Sequence, residues 1–513
     1  MSADRIRVFP GTYRDSLLLL SATRAMADGD GVIWASAAMA TPVATEDLIA
    51  RGFPPDGLAD ADGNALVIAV QADAGQAADD AIERGQAALF AEVGRPDEEP
   101  RGPRPGTIAE AAARMPQANV AVISVPGPYA AIAAHSALTA GLHVLLFSDN
   151  VPLPEEVVLK ERAIRLGRLV MGPGAGTAVL GGVGLGFANA VGAGPVGIVA
   201  AAGTGAQEVM ALLDHWDIGV SQVIGVGGRD LSAGVGGLMA REAVRALDAD
   251  PRTEVILLVS KPPDADVARS VIGASTATPV VAACLGMSTP DGQLAGAPLA
   301  ATLEEGALRA ASILGRTVPD LAAGQDEVAE RTASQIGATR TAVRGFFTGG
   351  TLCYEAQVVF GGSLGPVYSN IPLRPELGLP APAGAHICLD LGEEEYTQGR
   401  PHPMIDPAAR RAIMQADAFS GDIAAVLLDV VIGYGSHPDP AGEIAPICAD
   451  IVASGAAVIA YVLGSRADRQ GLDRQRRTLQ EAGAITTASA AQAARVAAAI
   501  AARQPALATA VRS

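Results

Sequence analysis

The chain has little lysine, little cysteine and few aromatic residues, and each scarcity excludes something. Lys160 and Lys261 are its only lysines; 37 basic residues stand against 55 acidic ones, a formal charge of 37 − 55 = −18. Such a balance offers no basic stripe to neutralise a phosphate backbone, so nucleic acid is not an expected partner. The four cysteines, Cys284, Cys353, Cys388 and Cys448, are widely spaced without a CxxC pair, which leaves no zinc-type or disulfide framework. The opening MSADRIRVFPGTY has no apolar core of a signal peptide. We therefore expect a reduced, cytoplasmic protein with no metal site.

Charge is also absent locally. Between Arg168 and Glu208 lie 39 residues without Asp, Glu, Lys or Arg. About 20 apolar residues suffice to cross a bilayer, but this run contains 12 glycines and two prolines, Pro173 and Pro195. These would break a lipid-facing helix repeatedly, which argues against a membrane span. The run reads instead as a buried passage from one α/β unit into the next.

With 49% hydrophobic residues over 513 positions, the chain can build several cores. Its first part alternates strand and helix: a helix opening near Asp15, a strand from Val32 to Met39, a helix near Thr45 to Arg51, a strand from Ala65 to Gln71 and a helix from Ala74 to Glu92. That pattern predicts a small α+β domain over 1–94. RPDEEPRGPRPG (Arg95 to Gly106) carries four prolines and dense charge, so a linker is expected over 95–117. Apolar strands separated by helices follow: Asn119 to Pro126, His143 to Phe147, Val196 to Ala201, Ser221 to Gly227, Glu254 to Ser260 and Thr278 to Gly286. Such runs predict parallel sheets covered on both faces, that is, doubly wound α/β units. We place them at 118–190, 191–335 and 336–513.

In open parallel sheets ligands bind beyond the carboxyl ends of strands, where a glycine loop and a helix N-terminus present N–H groups to an anion. Two places repeat this design. VGIVAAAGTGAQEV sets Gly203, Thr204 and Gly205 between a strand and a helix; RGFFTGGTLCYEA sets Thr348, Gly349, Gly350 and Thr351 likewise, and each loop is followed by a glutamate, Glu208 and Glu355. Either can hold phosphate without lysine. A third cluster, GVGGRDLSAGVGG, carries Gly227, Gly228, Arg229 and Asp230, which suit an anion or remain a solvated loop. DLGEEEYTQGRPHPMIDPAARR gathers Glu394, Glu395, Arg400, His402 and Asp406, and IGYGSHPDP places His437 after a buried strand. Loop histidines of this kind donate to a carbonyl or phosphate oxygen, move a proton near neutral pH, or are structural. The other four, His135, His143, His215 and His386, read as packing residues. GGSLG (Gly361 to Gly365) matches a nucleophile elbow by letters only, because Pro366 denies it the following helix.

The segment from about Ala118 to Ala311 resembles the α subunit of succinyl-CoA synthetase. SVPGPYAAIAAHSALTAGLHVLLFSD is similar to the second half of its CoA-binding domain, VGIVAAAGTGAQEV to its phosphate loop and VIGVGGRDLS to its GIGGDP loop; the part from HICLDLG onward resembles the carboxyl-terminal domain of the β subunit. Whole-chain motifs (FPGTYRDS, MATP, GVGLGFANAVGAGPVGIVAAAGTGAQEV, GGRDLS, FTGGTLCYEA, TQGRPHPMID) are similar to the FdrA family of acyl-CoA-synthetase-like proteins. The resemblance implies a small α+β domain followed by succinyl-CoA-synthetase-like Rossmann and flavodoxin-type domains, the first of them truncated. One departure matters. Where the synthetases carry their phosphorylated histidine in GHAGA, this chain reads DGQLAGA, with Leu294 in its place; no ATP-grasp segment and no amino-terminal CoA-phosphate loop is seen.

FdrA-type proteins are associated with an oxamate carbamoyltransferase of allantoin degradation, which interconverts oxalurate plus phosphate with oxamate plus carbamoyl phosphate. The resemblance therefore implies a transferase subunit acting with other subunits and as an oligomer, with phosphate or carbamoyl phosphate as ligand and CoA a doubtful one. On that reading His402, His437 and Arg400 are the catalytic candidates. Gly203, Thr204, Gly205, Gly227, Gly228, Arg229, Gly349, Gly350, Thr351, Glu355 and Asp406 would bind phosphate or substrate. Two alternatives stay open: a CoA-ligase-like protein, and a non-catalytic scaffold that keeps the fold.

Overall fold

The computed structural model describes residues 3–14, 16–58, 61, 63, 65–90, 105–397 and 401–510. It divides into two compact units, Met1–Arg104 with Gly392–Asp406, and Pro105–Leu391 with Pro407–Ser513.

The first unit runs β1 (Ala3–Phe9), α1 (Ser16–Ala27), β2 (Val32–Met39), α2 (Pro42–Ala50), β3 (Leu66–Ala72) and α3 (Gly75–Phe90). The strands pair in the order β1-β3-β2, with β3 antiparallel to both neighbours. β3 is the sheet's centre because LVIAVQA is apolar on both faces: Ile68, Val70 and Ala72 pack with Leu19, Ala22, Ala78 and Ile82 of α1 and α3, while Val67 and Ala69 join Leu48, Phe53 and Leu58. This is the small α+β layer expected from the alternation.

The second unit holds three sheets. α4 (Ile108–Arg114), β4 (Val120–Ile123), α5 (Gly127–Thr139), β5 (His143–Leu146), α6 (Leu153–Arg165) and β6 (Val170–Met171) make a three-stranded parallel sheet, β4-β5-β6. Next come β7 (Thr177–Leu180), β8 (Val183–Gly186), β9 (Ala193–Ala200), α7 (Gly203–His215), β10 (Val220–Gly225), α8 (Leu238–Asp248), β11 (Val255–Ser260), α9 (Ala265–Ile272), β12 (Val280–Cys284), β13 (Gln293–Leu294), β14 (Ala297–Ala300) and α10 (Leu303–Ile313). They form an eight-stranded sheet ordered β13-β14-β12-β11-β9-β10-β7-β8. β9 to β12 and β14 are parallel, whereas the β7-β8 hairpin is antiparallel to its neighbour β10. The uncharged run thus supplies β6 to one sheet and β7, β8 and β9 to the next, so the larger sheet reaches back to Thr177.

The third sheet is built from α11 (Gln325–Gln335), β15 (Ala342–Phe347), α12 (Gly350–Ser363), β16 (Val367–Ser369), β17 (His386–Asp390), α13 (Glu394–Thr397), α14 (Ala408–Asp417), β18 (Ile423–Val431), α15 (Pro440–Ala453), β19 (Ala457–Leu463), α16 (Leu472–Glu481), β20 (Ile485–Thr486) and α17 (Ala490–Ala502). α13 belongs to the first unit by position; the strands form a six-stranded, wholly parallel sheet in the order β16-β17-β15-β18-β19-β20. α17 is buried from Ala490 to Ala501. Alanine suits that position, since a side chain of one carbon lets a helix run close to neighbours on several sides.

Candidate functional site

The carboxyl ends of the two large sheets meet. β9 delivers Ala202 and Gly203 into α7, β15 delivers Gly349 and Gly350 into α12, and the two glycine loops are in direct contact. A Cβ placed on Gly205 would lie 2.9 Å from Thr351 Cγ2, and one placed on Gly349 would lie 2.7 Å from Thr204 Cγ2. Only glycine admits that approach of two helix starts. Neither helix has a side-chain cap, the cap positions being Ala202 and Gly349. Five other described helices are capped, by Thr41, Thr107, Asp264, Thr302 and Ser489. Two uncapped N-termini turned toward each other concentrate positive potential in one place.

Part of that potential is used internally. Asp429, at the end of β18, accepts the N–H groups of Thr348 and Gly349, both at 2.8 Å. Arg410 braces the same loop: it donates to Thr348 Oγ1 at 2.7 Å and to the Phe346 carbonyl at 2.6 Å, and stands 3.3 Å from Asp429. The N–H of Gly349 is therefore occupied, and the donors left to an outside anion are those of Gly350 and Thr351 with those of Gly203, Thr204 and Gly205. Lys261, directly after β11, brings its Nζ to 3.3 Å from the position of a Cβ on Gly350, and Asp390, at the end of β17, lies against the same position. A lysine and a carboxylate thus stand beside the second loop. Neither was legible in the sequence, because the loops they serve are more than eighty and forty residues away from them.

One turn further in, Glu208 and Glu355 occupy equivalent places on the two helices, both fully buried. Glu208 accepts from Ala490 N–H at 3.2 Å, and Glu355 from Leu303 N–H at 2.6 Å. Burial pushes the Glu208 carboxyl up to about 7 against the opposing pull of Tyr461 and the Ala490 N–H. Burial, reinforced by the charge of Glu208, pushes Glu355 up to about 8. Protonation of these raised carboxyls preserves the attraction of the two helix N-termini for an anion, whereas two ionised carboxylates there would cancel much of it. Glu355, read as a ligand, is enclosed in the junction rather than open to the loops.

The same junction is pinned at its side. Asn189, in the uncharged run, donates to the Ile432 carbonyl and to Asp468 Oδ2, each at 2.8 Å, while Asp468 Oδ1 accepts Ala190 N–H at 2.8 Å. These bonds tie the passage before β9 to the loops after β18 and β19.

The other sequence candidates lie elsewhere. Arg229 pairs with Glu156 at 2.8 Å and donates to the Val151 carbonyl at 2.7 Å. Asp230 is buried, pairs with Lys160 at 2.7 Å and accepts the Ala240 N–H at the start of α8 at 2.8 Å. Arg229, exposed at the tip of the loop, and the buried Asp230 thus form a lock between the small parallel sheet and its neighbour. Gly227 contributes a backbone contact, since a Cβ there would meet the Pro173 carbonyl at 2.6 Å; Gly228 adjoins Ala201. His437 is buried after β18, its Nδ1 accepting from Asp439 N–H at 3.1 Å. His402 and Asp406 belong to the other compact unit; the His402 Nδ1 accepts from Met404 N–H at 3.2 Å, and burial pushes the ring down to about 4. A ring so lowered is neutral at pH 7. Arg400 lies outside the described residues. Leu294, at the position of the synthetases' histidine, is buried in the core that also contains Cys284 and Leu299.

Mostly parallel sheets with two facing helix starts define the chain as a doubly wound α/β protein. The CoA-ligase family model matches residues 346–500, and a model described as AllF, heavy metal-associated domain, matches residues 1–102. The protein YahF of Escherichia coli K12 is 37% identical over 498 residues, covering 94% of this chain and 96% of YahF. The chain belongs to the family of YahF, an FdrA-like and succinyl-CoA-synthetase-like group. The ADP-forming succinate–CoA ligase α subunit of Aquifex aeolicus is 28% identical over 187 residues, 35% of this chain and 60% of that subunit. Among solved structures, the dinucleotide-forming acetyl-coenzyme A synthetase 1 of Ca. Korarchaeum cryptofilum, in complex with phosphate and ADP, shares 16% identity over 81% of this chain and 89% of its own, with a TM-score of 0.29.

The description of the first-unit model names a heavy metal. Residues 1–102 contain neither cysteine nor histidine, the thiolate and imidazole donors of heavy-metal sites, and among the described residues no group of three or more His, Cys, Asp or Glu is placed to hold a metal. The residues do not fit such an ion. No described helix is long and apolar enough to cross a membrane.

Proposed function

We propose that the chain is the subunit of an acyl-phosphate-handling enzyme in which phosphate reacts directly, of the oxamate carbamoyltransferase type. The observation that carries this is the pair of facing, uncapped helix starts around Lys261, combined with an apolar core residue, Leu294, where a phosphohistidine would have to be. Phosphate, held by the N–H groups of Gly203, Thr204, Gly205, Gly350 and Thr351 and by Lys261, attacks the carbamoyl carbon of a ureido acid. The new C–O bond gives carbamoyl phosphate, the C–N bond breaks, and the leaving nitrogen departs as the amide with the proton that hydrogen phosphate gives up. Donors already fixed in place stabilise the charge that develops on phosphate and carbonyl oxygens without reorganising. Other subunits complete the enzyme, as the names of the ligase relatives, each a subunit, suggest.

A CoA-ligase-like activity is the second reading, and the CoA-ligase match over 346–500 and the α-subunit relatives favour it more directly than they favour carbamoyl transfer. One experiment separates the two. Purified chain, alone and with the products of neighbouring genes, is supplied with oxalurate and phosphate, and separately with a carboxylic acid, ATP and CoA. Carbamoyl phosphate in the first mixture, reduced at least tenfold in Lys261→Met, supports the first reading. CoA-dependent ADP formation with no carbamoyl phosphate establishes the second.

A further inference from the structure

A crevice of about 270 Å³ opens on the third sheet, lined by Arg344 and Phe346 of β15, Ile387 and Leu389 of β17, and Asp417 and Ser420 at and just after the end of α14. Arg344 pairs in register with Ile387, and Phe346 with Leu389. Positions two apart on a strand share a face, so the floor is one face of two neighbouring strands, apolar except for a single guanidinium. The end of α14 leaves it open: the buried residues of that helix, Arg410 and Met414, come earlier, and Asp417 at its last position is exposed. Asp417 and Ser420 stand before β18 begins, at the amino side of the parallel sheet, whereas the glycine loops lie at the carboxyl ends.

Two opposite charges line this crevice without pairing with each other. Arg344 donates one terminal nitrogen to the carbonyls of Val343 at 3.2 Å and Ala385 at 2.6 Å. Its Nε and its other terminal nitrogen bond to no described residue, and the side chain is half-buried rather than sealed. Burial pushes the guanidinium down against the charges of Asp422 and Asp417, yet an arginine stays protonated at pH 7. Asp422 is engaged, accepting the Ser420 hydroxyl. Asp417 has no hydrogen bond or ion pair with a described residue, and it ends a helix that carries no basic residue in its last turn. Its charge is the wrong one for that place, because the last carbonyls of a helix carry negative potential and attract a cation. The fork of an arginine suits a carboxylate, the carboxylate at the end of α14 suits an ammonium, and the floor suits an alkyl group. We propose that this crevice binds a small α-amino acid with an apolar side chain, its carboxylate on Arg344 Nε and Nη2, its ammonium at Asp417 and its side chain against Phe346, Ile387 and Leu389. The site is separate from the facing glycine loops, and its test does not depend on the reaction proposed for them.

Leucine, isocaproate and isoamylamine share one alkyl body and differ in the charges they carry, both, only the negative and only the positive, which makes them the probes. Binding to the full chain is measured by saturation-transfer NMR and calorimetry at concentrations up to the millimolar range. Wild type is expected to bind leucine at least tenfold more tightly than either single-charge probe. Asp417→Asn, a change at an exposed position, is expected to lower leucine affinity at least tenfold and to leave isocaproate no weaker, while circular dichroism and melting temperature stay as in wild type. Ala416→Trp, also at an exposed position on the lining, fills the crevice and serves if Asp417→Asn does not fold. Absence of leucine binding, equal affinity for either single-charge probe, or leucine binding undiminished in a folded variant overturns the proposal.

Discussion

Gly205 and Thr351, 146 positions apart in the chain, touch so closely that a single added carbon on Gly205 would stand 2.9 Å from the threonine methyl. That contact brings the starts of α7 and α12 together, and everything at the site depends on it. Gly205→Val is expected to force the helices apart and to destabilise the second unit by about 1–3 kcal/mol, the usual cost of overpacking. It is also expected to abolish phosphate binding measured by calorimetry. A variant that binds phosphate normally would show that the anion sits elsewhere.

Gly350 tests the second loop more locally. Asp390 already lies against it and Lys261 is nearby, so Gly350→Asp adds a negative charge where an anion is to sit. Phosphate affinity is expected to fall at least tenfold, read in the same calorimetric titration, and melting temperature to fall as well, because the new side chain must displace the buried Asp390 carboxylate.

Glu208 and Glu355 make stability depend on pH. Their folded pKa values, about 7 and about 8, lie above the ordinary carboxyl value of 4.5, so the folded chain binds more protons than the unfolded one between these limits. The stabilising contribution is complete below about pH 4.5 and is lost as pH rises through 7 and 8, each pKa unit weighing about 1.4 kcal/mol. Urea unfolding followed from pH 5 to pH 9 should show this decline, and the double variant Glu208→Gln with Glu355→Gln should flatten it. An unchanged slope would place the protons on other groups.

Lys160 joins Glu156 and Asp230 in a pocket where all three are buried, at 2.7 Å from each. Lys160→Met leaves the buried Asp230 without its cation, while Glu156 keeps Arg229, and is expected to cost about 3–5 kcal/mol, the range for breaking a buried pair from one side. A Tm within a degree of wild type would show that the lock is not structural.

Leu294→His tests whether the missing histidine alone separates this chain from the synthetases. The side chain is only 2% exposed, so an imidazole there is expected to destabilise the fold by about 1–3 kcal/mol for want of partners. No phosphoprotein should form with ATP and CoA, monitored by phosphorus NMR. Appearance of phosphohistidine would mean that the surrounding machinery is intact.

Strand and helix positions were largely legible, and for a local reason. Runs such as VILLVS and AAVLLDVV are apolar on both faces, which only a covered parallel strand satisfies, and β11 and β18 lie where those runs predict. The same local logic marked both glycine loops as strand-to-helix turns and both glutamates behind them. It did not reach the partners of GGRDLS, because nothing local announces that Glu156 and Lys160, some seventy residues earlier, will pair with Arg229 and Asp230.

Composition and pattern by themselves determined the class: an acidic, lysine-poor α/β chain with glycines at strand ends; the resemblance to the synthetases added that Leu294 stands where they carry the phosphohistidine. Only the tertiary structure decided that the two loops touch, that the uncharged run is pinned through Asn189 to Asp468, and that Lys261 and Asp390 stand beside the second loop. The reason is physical. A strand or turn is specified by neighbours a few residues away, whereas an electrostatic site is a sum over charges and N–H dipoles that become neighbours only when two sheets dock.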